Sequence, residues 1–177
     1  MGELTLEERG QKIVDACLAE KSASPYEVFR NVAHRDFVRM HGPEHHVLDG
    51  AAVLTAYRNA GGNVDLPAAL NELMSRGLQM PGAMCGRWGV CGATASVGAA
   101  LSILESTGPL TTDDSWGSHM VYTSRALEAL SRIGGPRCCK RDAYISLETA
   151  VDYIRERFGI RLEKDDIHCE FHPQNAQ

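Results

Sequence analysis

Two segments of the chain, "VLDGAAVLTAY" (Val47 to Tyr57) and "GATASVGAALSIL" (Gly92 to Leu104), are built from apolar and small residues with almost no polar face. A helix that lacks a polar face has to be surrounded by other protein. The remaining helices must therefore wrap these two, and this requirement governs the architecture. In the second segment Gly92, Ser96 and Ala100 recur every fourth residue, giving a helix face with no long side chains, against which a neighbour can pack closely. That face serves equally well within the chain or across a homodimer.

The other segments read as the helices that do the wrapping. Thr5-Leu6-Glu7-Glu8 has the form of a capping box, followed by Ile13, Val14, Cys17 and Leu18 at helical spacing. Ser24-Pro25-Tyr26-Glu27 starts a second helix, which carries Val28, Phe29, Val32 and Phe37 and fades near Met40. The first buried helix begins at Pro43 and stops before Gly61-Gly62. A fourth runs from about Asp65 to Arg76, and a glycine-rich loop covers Gly77 to Gly89. The fifth, the second buried helix, starts near Cys91 and stops at Gly108-Pro109. A sixth lies between about Asp113 and Ile133, and a seventh has Pro136 in its first turn and ends near Phe158. No β-branched alternation of strand length occurs. The expectation is one all-α domain: a bundle of about seven helices with two buried at its centre and a less regular tail from residue 159 to 177.

The length of 177 residues is enough for one domain that buries roughly two-thirds of its unfolded surface. A net charge of −5 with scattered basic residues argues against a nucleic-acid surface. No stretch is long and apolar enough to span a membrane, and the acidic start "MGELTLEERG" has no signal-like apolar region, so a cytoplasmic location is expected. The six cysteines then read as metal ligands or reactive thiols rather than disulfides.

Three clusters carry the candidate chemistry. In "MCGRWGVCG", Cys85 lies in the glycine-rich loop and Cys91 at a helix N-terminus, where free amides and the helix dipole favour a thiolate. In "GPRCCKRD", helical phase puts Cys139 on the stripe of Ala143, Leu147, Ala150 and Ile154, pointing inward. Cys138 aligns with Asp142 nearer an edge, and Arg137 and Arg141 flank the pair. In "HGPEHHVLDG", His45 and His46 head the central helix beside Glu44, with Asp49 one turn on to orient them. His119 in "WGSHMVY" is a weaker candidate, and Cys17 reads as an inert core thiol. The Cys85 to Cys91 spacing matches no zinc knuckle or thioredoxin motif, and no nucleotide-binding glycine loop is present.

The segments "HHVLDGAAVLTAYRNAGG", "MCGRWGVCGATASVGAALSIL", "WGSHMVYTSRALEALSRIGGPRCCKRDA" and "CEFHPQNAQ" resemble an uncharacterised cysteine-rich family of archaeal and bacterial proteins, from about Phe37 onward. That resemblance implies a prokaryotic setting and, from members joined to a methyltransferase-like domain, a methyltransferase as a candidate partner. It carries no established activity. A more distant likeness is to the redox-active C-GCAxxG-C-C proteins, through Cys91-Gly92-Ala93 and Cys138-Cys139. Where that family has an early cysteine this chain has His45-His46, a departure that favours a mixed Cys/His metal site.

Three readings follow. The first is a zinc or iron–sulfur protein of sulfur or redox metabolism, liganded by Cys85, Cys91, Cys139 and His46 or His45, with Cys138 as a mobile thiol beside it. The second is a metal-free thiol oxidoreductase using Cys91 with Cys138 or Cys139. The third is a non-catalytic helical module serving a methyltransferase or other partner, in which the cysteines only pack.

Overall fold

The computed structural model describes residues 3–175, which form eight α-helices and a terminal 3₁₀ turn, with no strand among them. The helices are α1 (Leu6–Ala19), α2 (Pro25–Ala33), α3 (His45–Asn59), α4 (Leu66–Leu78), α5 (Met84–Arg87), α6 (Gly92–Leu104), α7 (Ser115–Ile133) and α8 (Cys139–Phe158). The chain is all-α, as its periodicity implies. The capping box at Thr5 and Glu8 forms with both reciprocal hydrogen bonds.

α3 and α6 form the centre. α3 packs on α1, α2, α4, α6 and α8, and α6 packs on α3, α4, α7 and α8. Leu48, Leu54, Val97 and Leu101 at this centre are fully buried, each contributing on the order of 1.5–3 kcal/mol. Where α3 crosses α6, a β-carbon at Gly50 would stand 2.4 Å from the carbonyl oxygen of Ser96, and the Gly50 amide donates to Ser96 Oγ at 2.9 Å. Glycine is required at this crossing because backbone meets backbone.

The packing register fixes direction. His46 lies on Gly92 and Gly50 on Ser96, so α3 and α6 run the same way. Cys91 faces Asp142, and Thr94 Oγ1 bonds Ser146 Oγ at 3.0 Å, so α6 and α8 also share a direction. The N-termini of α3, α6 and α8 therefore lie together at one end of the bundle.

Four details depart from the sequence reading. α2 stops at Ala33 rather than near Met40, because the carboxylate of Glu44 captures the Arg39 amide (2.8 Å) and folds residues 34–44 into turns. α6 ends at Leu104, short of Gly108. α5 is a four-residue helix inside the expected loop. α8 starts at Cys139 rather than Pro136, because the Arg141 guanidinium holds the carbonyls of Gly134 and Pro136 (3.0 and 3.1 Å) in a turn before the helix. The tail is irregular yet well anchored. The Glu163 amide donates to Ala23, the Ser24 hydroxyl donates to Asp165, and His34 meets Glu170 at 2.8 Å and stacks on Phe171. Phe171 is buried and lies 4.7 Å from the ammonium of Lys140.

Candidate functional site at three helix N-termini

The three adjoining N-termini surround a cavity of about 280 Å³. Cys91 caps α6, Cys139 is the first residue of α8, and His45 and His46 open α3; all four line the cavity. Cys85 from α5 and Asp49 from the second turn of α3 complete its polar wall, with Arg39, His41 and Arg137 also on it. Gathered free amides make this end of the bundle hospitable to negative charge.

The two adjacent histidines differ in their partners. His45 is engaged at both ring nitrogens: Nε2 faces the Arg39 carbonyl and Nδ1 faces Asp49 Oδ1, each at 3.3 Å. His46 is held less fully, with a backbone hydrogen bond to Met80. Its Nδ1 is buried without a partner, and burial pushes its pKa down despite the opposing pull of Asp49, keeping the ring neutral. Asp49 Oδ2 is likewise buried and unpartnered. Two buried polar atoms without a protein partner thus belong to residues that line one small cavity.

The thiols do not have the expected ionisation. Burial raises the Cys91 pKa to about 12, and the nearby Asp142 carboxylate adds to the rise. The amides of Ala93 and Thr94 pull the other way, as a helix N-terminus should, and are outweighed. The Cys91 thiol donates to Asp142 Oδ2 at 3.9 Å. Cys139 is raised to about 11, again by burial, against the Gly42 amide and Arg137. The expectation of a Cys91 thiolate is thus corrected for the metal-free protein: desolvation exceeds the helix dipole.

Cys139 meets Cys85 and Cys91 at the cavity, but Cys138 is buried where helical phase predicts a place nearer an edge. Cys138 is buried and lines neither this cavity nor the wider one beside it, whereas Cys139 is half-exposed on the cavity wall. Cys138 is the extended N-cap residue (φ −141°), so helical phase cannot be extrapolated back to it. Glu44 is fully buried but acts away from the cavity. Burial would raise its pKa, but three hydrogen bonds from Arg39 hold it down at about 2, fixing the start of α3. Arg141 grips Asp142 at 3.0 Å. His119 sits on α7 and lines neither cavity. Cys17 is an inert core thiol, fully buried and raised to about 12 by that burial.

His41 is the participant that the sequence reading passed over. Its Nδ1 accepts from the Cys139 amide at 3.4 Å, and its Nε2 donates to Asn175 at 3.2 Å, linking the tail to the first amide of α8. Only its neighbours in three dimensions reveal this role. Among the described residues, no three Cys, His, Asp or Glu side chains already converge on a point that could hold an ion.

From the middle of α1 onward, cavity included, the chain falls within a match to one family, over residues 13–177. The chain belongs to DUF5714, a family of unknown function. Comparison with curated proteins and with solved structures yields no match. No helix among the described residues is long and apolar enough to cross a membrane.

Proposed function

We propose that this chain is a metal-binding protein whose centre is assembled from Cys85, Cys91, Cys139 and His46. The observation that carries the reading is the single cavity lined by three thiols, together with the orphaned Nδ1 of His46 and the orphaned Oδ2 of Asp49. Three thiolates and one imidazole form a complete tetrahedral set for zinc, and an iron–sulfur cluster is the other cofactor that such thiolates hold. His45, tied at both nitrogens, serves with Asp49 as support rather than as ligand.

The thiol electrostatics favour this reading over a metal-free thiol oxidoreductase. Thiols raised to about 11 and 12 are protonated at neutral pH and therefore weak nucleophiles. A soft cation reverses that, displacing the protons and neutralising the thiolates that burial disfavours. Ligation requires side chains to turn inward. The segment that carries Cys85 has open space beside it, since a β-carbon at Gly82, Gly86 or Gly89 would meet nothing within 4 Å. A thiolate centre of this kind suits sulfur or redox chemistry on a small molecule.

Elemental analysis of anaerobically purified protein tests the proposal. About one equivalent of zinc, or iron with acid-labile sulfide, is expected, lost in Cys91→Ser and His46→Ala and kept in Cys17→Ser. Protein that remains metal-free after anaerobic reconstitution with zinc and with iron plus sulfide would sink it.

A further inference from the structure

A second, wider cavity of about 570 Å³ adjoins the first. The two share Cys85, Cys91, Arg137 and Asp142, so they meet at the thiols. α7 gives the wide cavity an apolar wall through Leu127 and Leu130, and much of its rim is glycine backbone with no side chains to obstruct it. Its size lies within the span typical of small-molecule sites, roughly 300–1,000 Å³.

The charges on this cavity are nearly all satisfied internally. Arg141 holds Asp142 and two carbonyls, and Glu128 holds Arg132 at 2.6 Å. Arg137 is the exception: no acid or carbonyl among the described residues pairs with it, although it stands at the junction of both cavities. A guanidinium presents a planar fork of donors that matches a planar oxyanion. The carboxylates of Asp142 and Glu128 also face this space, which disfavours a dianion. A monoanionic head with an apolar body fits both the charge and the wall.

We propose that the wide cavity is the binding site for a small organic carboxylate, its head on Arg137 and its apolar body against Leu127 and Leu130, lying beside Cys85 and Cys91. The site deepens the metal-centre reading by naming the class of molecule brought to it. The cavity and its cation do not depend on that reading.

Titration calorimetry of the full chain with 3-phenylpropanoate, its neutral amide and phenyl phosphate provides the test. The carboxylate is expected to bind about tenfold more tightly than the amide, as hydrogen bonds to a charged partner imply. Arg137→Gln should erase that preference while leaving amide affinity unchanged, and Leu130→Ala should weaken both ligands. Equal affinity for carboxylate and amide, a preference that survives Arg137→Gln, tighter binding of the phosphate, or no saturation would each overturn the proposal. Metal content, measured on the same samples, separates the two ideas. Carboxylate selectivity in protein that cannot be loaded with metal sinks the centre and supports the site; a loaded protein indifferent to the carboxylate does the reverse.

Discussion

The ring of His46 occupies the space that a side chain at position 92 would need: a β-carbon on Gly92 would lie 2.2 Å from both Cδ2 and Nε2 of that imidazole. Position 92 therefore has to be glycine for His46 to stand at the cavity. Gly92→Ala is expected to expel the ring at a cost of about 1–3 kcal/mol in urea unfolding, with loss of bound metal. Gly50→Ala collides with the rigid backbone of Ser96 and should destabilise more.

The adjacent cysteines give a sharper discrimination. Cys139→Ser is expected to lower metal content, whereas Cys138→Ser, away from the cavity, is expected to leave it unchanged. Matching losses in the two variants, read by elemental analysis, would contradict the assignment.

Burial is the main cause of the raised Cys91 pKa, and the charge of Asp142 adds to it. In metal-free protein the Cys91 thiol is expected to react slowly with iodoacetamide at neutral pH and to speed up as pH climbs toward about 12. Asp142→Asn removes the anion beside the thiol, so its pKa should fall and its alkylation at pH 8 should accelerate severalfold, on the order of tenfold per pKa unit. Mass spectrometry resolved by residue is the readout.

Lys140 provides a pH signature of its own. It is buried with its ammonium on the Ala33 carbonyl (3.3 Å) and near the Phe29 and Phe171 rings, and burial lowers its pKa from 10.5 to about 8. Between those values the unfolded chain binds more protons than the folded one, so this group's contribution to stability rises as pH goes from 8 to 10.5. The difference in unfolding free energy between wild type and Lys140→Met should change in wild type's favour across that window. The thiols act with opposite sign, losing stability as pH climbs from 9 toward 11 and 12. Cys91 is present in both proteins and cancels in the comparison, whereas Cys139 interacts with Lys140 by charge and is replaced by serine in both for this measurement.

How much of this the sequence discloses follows the range of the interactions. The capping box of α1 and the faceless helices α3 and α6 are local patterns, and they appear where the residues indicate. α5 has only four residues among glycines, too short for any periodicity to register. Cys138 departs from its expected place because it stands outside the helix whose phase places Cys139. His45 and His46 are chemically identical in sequence, and only the Arg39 carbonyl and the orientation of Asp49 tell them apart. His41 works through Asn175 and the Cys139 amide, contacts that no local pattern contains. The thiol pKa values turned on a contest between desolvation and helix dipole whose winner depends on depth of burial.

That α3, α6 and α8 all point the same way has a kinetic consequence. Neighbouring helices with a common direction cannot be joined by a short turn, and the contacts at their shared end link residues 46, 51 and 98 positions apart. Loop-closure entropy must be overcome before such distant contacts bring any reward. The cavity is therefore expected to be among the last features to close during folding, and any partly folded form that retains α1 to α4 alone lacks it. Occupancy of this end of the bundle would then report that the whole chain, out to the residue that grips His41, has reached its native arrangement.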